Sequence, residues 1–551
     1  MATTTLITTS QAEPWAADYH DAFSLHQLPE TRGEASSTRP RQPLPPKQQV
    51  PEHEDHDWSH AQGTIQPSRL QKTAIVLQLS GMNLCSSAIN GLVVVGLPVI
   101  TADLSLPPSL AFWPTSATSL GTAATLLLAG SFSDALGARV VDLVGCAITA
   151  AFMVGGAAAT TGSQLVAMRA LQGIGGAMHY SSSVALVTQA FPRGKGRNIA
   201  FACLGLSQPL GFSLGLVIGG VLIDATGWRT AWYIYAGICS ALFCVGVWAL
   251  PPNPDKLSFR ERLARCRVKV DWVGALLASA FMAILCYLLA ILSADMNRIR
   301  SSGTIALLCV GVLLLPCFLG WMHRQTSVGR PALIPLSLWR NPAFTSICAI
   351  TALCFSAVNA MELFCNLFFQ EIQHLSPLES SIRILPSLVV AVLLGFGCGL
   401  LVDRFRVLWL VSISSVISAL SPLLMALVNP EWSYWKGAFE AQLLCHVAAN
   451  TLFTVGLGII SEVFPEDTQA LAGAVFNTSS QFGTALGLSV LQMISASVTA
   501  SAGSPDKEGT DDALLQGYRA SFWALMGFLL ACAVISCLGL RRVGRVGLKQ
   551  D

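Results

Sequence analysis

Apolar residues along this chain come in long unbroken runs, not at the alternation of a strand or the one-sided stripe of a soluble helix. A bilayer core of about 30 Å needs roughly 20 such residues in a helix. That ruler predicts fourteen spans, near 74–98, 110–131, 140–160, 164–190, 199–223, 230–250, 272–292, 303–322, 343–369, 378–401, 407–428, 437–461, 469–499 and 519–540. Most are bounded by Pro, Asn, Asp or Arg. Residues 1–70 are of different material, rich in Pro, Ser, Thr, Gln and Glu, and this composition predicts a disordered tail.

The polar connections carry direction. Arg139, the group Arg193, Lys195 and Arg197, six basic residues between Lys256 and Lys269, and Arg404 and Arg406 all fall on one side of the predicted membrane. The other side carries far fewer. An even span count puts both termini on the basic side, which the positive-inside rule assigns to the cytoplasm. The expected division is a tail (1–70), a first six-helix bundle (71–250), a basic loop with two inserted helices (251–341), a second six-helix bundle (342–541) and a short cytoplasmic tail (542–551).

Composition agrees. The chain is 53% hydrophobic and 12% charged, with mean hydropathy +0.57, against about 25% charged in soluble domains. A net charge of +2 gives no reason to expect a nucleic-acid partner. The sixteen cysteines lie mostly within apolar runs and read as small core residues, with no metal site or disulfide framework predicted. No P-loop, nucleophile elbow or ligand cluster suggests an enzyme.

One short pattern occurs twice. Gly130-Ser-Phe-Ser-Asp134 follows the second run, with Gly137 and Arg139 behind it. Gly399-Leu-Leu-Val-Asp403-Arg404 follows the tenth. Repetition about 270 residues apart indicates internal duplication, a common way of building transporters. The glycine permits close helix approach, and the aspartate is suited to cap a helix or pair with a cation.

These features resemble the major facilitator superfamily, in its fourteen-span drug:proton antiporter branch. The loop 130–139 is similar to that family's G-x-L-x-D-R-x-G-R-K signature. Arg169-Ala-Leu-Gln172-Gly173 is similar to its fourth-span R-x-x-Q-G motif, and Gly211, Gly215, Gly219 and Gly220 to its fifth-span antiporter motif. The run Arg197 to Gly205 resembles fungal members related to aminotriazole-resistance and boron-efflux proteins. The resemblance covers about 70–541. It implies an all-α polytopic membrane protein of two six-helix bundles with two extra central helices. It also implies a monomer in the plasma or vacuolar membrane, and a proton gradient in place of a cofactor. Ala135 and Ala138 replace basic positions of the loop signature, and Ile89 stands where the first span usually carries an acid.

Polar residues inside the runs are the candidate pathway, because each is costly there. Arg169, Gln172, Gly176 and His179 recur at three or four residues and so share one helix face, expected to point into a cavity between the bundles. Asn359, Glu362 and Asn366 line a face of the ninth span, and Glu362 is the best proton carrier and the expected partner of Arg169. His446 in the twelfth span, and Asn477 and Gln481 in the thirteenth, complete the set. The leading expectation is proton-driven export of a small, largely apolar compound such as a drug, toxin or fungal metabolite. A narrower exporter of borate or an organic anion, with Arg169 as its contact, is the alternative. A membrane sensor that kept the fold is the reading from another class.

Overall fold

Ser68 starts the first helix with a reciprocal cap: its hydroxyl accepts from Gln71 N at 3.2 Å, and the Gln71 side chain accepts from Ser68 N at 3.0 Å. This is a computed structural model. It describes residues 68–107, 110–192, 195–252, 260–262, 264, 266, 270–294, 299–330, 332–401, 405–464, 466–502 and 511–544. The tail to residue 67, most of the basic loop, and Asp403 and Arg404 therefore lie outside the described residues, and of Gly399 only the helical backbone is described.

The described residues are helical, with no strand among them. The first half comprises α1 (Arg69–Asp103), α2 (Trp113–Leu136), α3 (Ala138–Ala157), α4 (Gly162–Ala190), α5 (Lys195–Thr226) and α6 (Trp228–Ala249). Then come α7 (Trp272–Ala294) and α8 (Ser302–Ser327). The second half comprises α9 (Pro342–Leu367), α10 (Pro377–Leu401), α11 (Val407–Leu427), α12 (Ala438–Leu444), α13 (Val447–Val463), α14 (Glu466–Ala502) and α15 (Asp511–Gly539). Each predicted span falls on a helix. The twelfth, expected to be continuous over 437–461, is instead two helices, α12 and α13, broken at Cys445 and His446. Eleven of the described helical segments are long and apolar enough to cross a membrane. Helices α2 and α4 are not among these, because Ser, Thr, Gly and other polar residues dilute their hydropathy.

Successive helices of the first half alternate in direction. Ile75, Ala138, Leu186, Phe191 and Leu250 meet in one small core, which marks one end of the bundle, here called the first face. At the opposite, second face, the Arg229 guanidinium donates to Asp103 and, at 3.3 Å, to the Ala159 carbonyl. Gly137 (φ 99°) and Gly227 (φ 85°) make the tight turns between α2 and α3 and between α5 and α6.

Within the first half α1 packs on α5 and α6, and α4 on α2 and α3. In the second, α9 and α11 pack on α15, and α9 on α14. The halves meet where α2 touches α14 and α5 touches α10. Glycine sets the closest approaches. A methyl group at Gly211 would lie 2.2 Å from Leu84 O, and one at Gly215 would lie 1.9 Å from Ala88 O, so α5 can rest on α1 only without side chains there. Gly219 continues the seam against Leu92, whereas Gly220 turns to the other half and abuts Pro377, Leu378 and Ser381 of α10. Gly483 and Gly487 of α14 press in the same way on Ala352 and Ser356 of α9. The sequences match as well: Gly211-Phe-Ser-Leu-Gly215-Leu216 and Gly483-Thr-Ala-Leu-Gly487-Leu488 are one G-x-x-L-G-L repeat.

The inserted pair is attached through α7, which packs on α2 and α14 and donates from Ser279 Oγ to Ala124 O at 2.6 Å. Buried Asp271 organises its root, accepting from Gly274 N (2.9 Å), Trp321 Nε1 (2.9 Å) and Leu333 N (3.3 Å). Arg139 of the loop motif donates to Val247 O of α6 at 2.7 Å, a contact within the first half. A methyl group at Gly130 would meet nothing within 4 Å, and Asp134 is exposed.

Candidate functional site: a cavity between the halves

A cavity of about 360 Å³ lies between the two halves, within the usual range for small-molecule sites. Its floor is a layer of hydrogen bonds at the second face. Asn366 Nδ2 donates to Val94 O (2.7 Å), Gln370 Nε2 to Val95 O (2.8 Å) and Ser381 Oγ to Leu216 O (2.9 Å). Asn366 Oδ1 accepts from Ser380 and Gln370 in turn, so both ends of its amide are bonded. From this floor the lining runs toward the first face along Gly205, Leu206 and Gln208 of α5, Ala391 of α10 and Thr454 of α13.

The walls mix amides and hydroxyls with rings. Ser87 and Asn90 come from α1, Thr115, Thr118, Ser119 and Thr122 from α2, and Tyr180 from α4. The second half supplies Phe355, Asn359, Glu362, Asn450, Phe453, Gln481 and Thr484. Asn359 Nδ2 donates to Phe355 O at 2.8 Å and to Thr484 Oγ1 at 3.3 Å, which ties α9 to α14 across the wall.

Glu362 and His446 are the titratable pair of this cavity. Glu362 Oε1 lies 3.1 Å from His446 Nε2, with little of either side chain exposed. The pair is close but not aligned as a hydrogen bond: Glu362 Oε1 and His446 Nδ1 are both buried without a hydrogen-bond partner among the described residues. Such atoms are costly to leave unmade, and they border the space a ligand would enter. His446 sits at the break between α12 and α13. The break is stitched by Ser418 of α11, whose hydroxyl donates to Leu444 O at 3.0 Å and accepts from Ala448 N at 2.8 Å. Discontinuous helices are a recurrent device at transporter binding sites.

Of the predicted pathway residues, Asn359, Glu362, His446 and Gln481 line the cavity, and Asn366 lies in its floor. Asn477 does not reach the lining, although its neighbours on the same face do. The fourth-span set is corrected. Arg169, Gln172, Gly176 and His179 do share a face, but α1, α2 and α3 cover it. Arg169, 1% exposed, donates from Nε to Pro114 O (2.9 Å), from Nη1 to Gln172 Oε1 (3.1 Å) and from Nη2 to Asn90 Oδ1 (2.7 Å), and it lies over the Trp232 ring at 5.9 Å. The expected meeting with Glu362 is therefore not seen: amides and a carbonyl satisfy the guanidinium, and His446 takes the carboxylate. A lone Gly176 methyl would approach only Thr122 and Tyr180. His179 faces α1 and α3, where Nδ1 lies 2.8 Å from Asp142 Oδ1 and Nε2 lies 3.2 Å from Leu79 O.

Two residues escaped the sequence reading. Asp142 is buried one turn inside the third run, and Gln78 is buried in the first, donating to Asp142 Oδ2 at 3.0 Å. The available signal was an acid in an otherwise apolar helix with Cys146 four residues on.

Comparison with known proteins decides the family. The profile described as Major Facilitator Superfamily matches residues 79–487 and 384–550. The chain belongs to this superfamily. MFS-type transporter 1 of Pyricularia oryzae is 38% identical over 94% of this chain and 89% of its own length. The multidrug transporter mdr3 of Aspergillus fumigatus is 24% identical over 90% and 84%. The methylenomycin A resistance protein of Bacillus subtilis is 26% identical over 78% and 90%. Among solved structures, a bacterial homologue of the human lysosomal transporter Spinster, crystallised inward-facing, superposes with a TM-score of 0.60 at 16% identity, covering 86% of this chain and 98% of that one. This major facilitator chain is thus a multi-pass membrane transporter, with drug-resistance and export proteins among its relatives.

Proposed function

We propose that this protein exports a small, largely apolar compound from the cytoplasm by alternating access, in exchange for protons. We place it in the fourteen-span drug:proton antiporter branch, as a monomer in the plasma membrane with both termini cytoplasmic. The single observation that carries the reading is the pair Glu362 and His446, a carboxylate and an imidazole on the wall of a cavity otherwise lined by amides, hydroxyls, aromatic rings and aliphatic side chains. Neutral donors and acceptors among rings suit an uncharged or weakly polar cargo. A carboxylate beside that cargo is suited to exchange it for a proton as access alternates.

The floor formed by Asn366, Gln370 and Ser381 closes the second face, which supports an inward-facing state with the basic first face in the cytoplasm. Export of borate or an organic anion has less support, because Arg169, the anion contact it requires, is bonded inside the first half and does not line the cavity.

The test is uptake into inside-out vesicles bearing the purified chain, using hydrophobic drugs and extracts of fungal metabolites as cargo. An imposed proton gradient should drive accumulation, and a protonophore should abolish it. Accumulation that ignores the protonophore would end the antiport reading, and uptake of borate alone would replace the cargo class.

A further inference from the structure

Gln78, Asp142, Cys146 and His179 form a second polar cluster. It is sealed among α1, α3 and α4 and separate from the cavity wall, with all four residues at most 1% exposed. The helices meet here because Gly145 and Gly175 cross without side chains: a methyl group on Gly145 would lie 2.7 Å from Gly175 O. Cys146 Sγ lies 3.7 Å from Asp142 Oδ2 and 3.8 Å from His179 Nδ1, and His179 Nδ1 lies 2.8 Å from Asp142 Oδ1. Gln78 Nε2 lies 3.0 Å from Asp142 Oδ2 and 3.5 Å from Cys146 Sγ.

We infer that this cluster is a structural binding site for a divalent d-block cation, with Zn²⁺ the best match. A tetrahedral site with mixed N, S and O ligands has ligand-to-ligand edges of about 3.4–3.6 Å. The Cys146–His179 edge (3.8 Å) and the Cys146–Asp142 Oδ2 edge (3.7 Å) are already close to that, and the 2.8 Å contact of His179 is to the other carboxylate oxygen, Oδ1, which leaves Oδ2 as the ligand atom. The fourth ligand is the Gln78 amide. Its Oε1 is buried with no hydrogen-bond partner, while its nitrogen faces the cluster. Amide O and N exchange places by a half-turn, which turns the oxygen toward the cluster as the fourth acceptor. The outer shell is also in place, since His179 Nε2 faces Leu79 O at 3.2 Å; a carbonyl on the far ring nitrogen leaves Nδ1 free to ligate.

Charge closes the argument. Metal ligands bind in their deprotonated forms. The +2 ion would be balanced by the Cys146 thiolate and the Asp142 carboxylate, with the His179 imidazole and the Gln78 amide as neutral ligands, so the loaded site is neutral where the surroundings tolerate charge least. The ion would pin α1, α3 and α4 together as scaffold, not cargo.

The experiment uses the full chain in detergent, stripped of metal and titrated with Co²⁺. One equivalent should produce a thiolate-to-cobalt charge-transfer band. Cys146→Ser should abolish it, and Cys309→Ser, at an exposed thiol of α8, should leave it intact. Zn²⁺ but not Mg²⁺ should raise the unfolding midpoint of the unaltered chain by roughly 5 °C, and Cys146→Ser should lose that rise. No band in the unaltered protein overturns the proposal even if the variant fails to fold. A band that survives Cys146→Ser identifies adventitious binding at another thiol and overturns it too.

Discussion

The two halves of the transporter treat buried charge in opposite ways. In the first half, Arg169 is enclosed and each of its nitrogens donates, while Asp142 and His179 satisfy one another beside Gln78. In the second half, Glu362 and His446 stand 3.1 Å apart on the cavity wall, and Glu362 Oε1 and His446 Nδ1 have no hydrogen bond among the described residues. A charge completely bonded inside a bundle resists change of state, and so holds shape. A charge incompletely bonded beside a cavity has something left to offer a cargo or a proton. The motif that attracts attention in the sequence, Arg169 in a hydrocarbon setting, thus belongs to the holding half, and the less conspicuous Glu362 to the working half.

This contrast can be broken by substitution. The largest effect is expected for Gly215→Leu, which drives a side chain into the Ala88 backbone; folded protein recovered by size exclusion should fall nearly to zero. Arg169→Ala comes next. It strands Asn90 Oδ1, Gln172 Oε1 and Pro114 O, and should cost about 3 kcal/mol or more, since each buried acceptor left unmade costs about 1–3 kcal/mol, read as a lowered unfolding midpoint in detergent. Glu362→Gln should leave stability within about 1 kcal/mol but abolish proton-driven accumulation in vesicles while sparing cargo binding. If it destabilises as much as Arg169→Ala, Glu362 is scaffold and the contrast fails. The smallest effect belongs to Asn359→Ala, which removes one amide, and with it the Oδ1 acceptor, from the cavity wall: apparent cargo affinity should weaken up to about tenfold, the value of roughly one hydrogen bond, with coupling intact.

Helix positions were legible because twenty-residue apolar runs have little other use, and every predicted run lies on a helix. The polar faces were legible too: Arg169, Gln172, Gly176 and His179 do line up, as do Asn359, Glu362 and Asn366. What covers each face was not, because spacing specifies a direction around one helix and says nothing of its neighbour. Hence α1 lies where a cavity was expected beside Arg169, and the α9 face passes from cavity at Glu362 to floor at Asn366. The interruption at Cys445 and His446 left no local trace, since Leu-Leu-Cys-His-Val-Ala-Ala contains no Pro or Gly. Its stabiliser, Ser418, lies on another helix and only the fold brings it near.

That stabiliser carries a last consequence. Ser418 offers one rotatable hydroxyl to both broken ends, donating on one side and accepting on the other. A backbone gap in a membrane normally has to be sealed by rigid partners. Here both ends of the break around His446 depend on one oxygen: Ser418→Ala would leave Leu444 O and Ala448 N without that shared partner, at a point where no lipid can replace it.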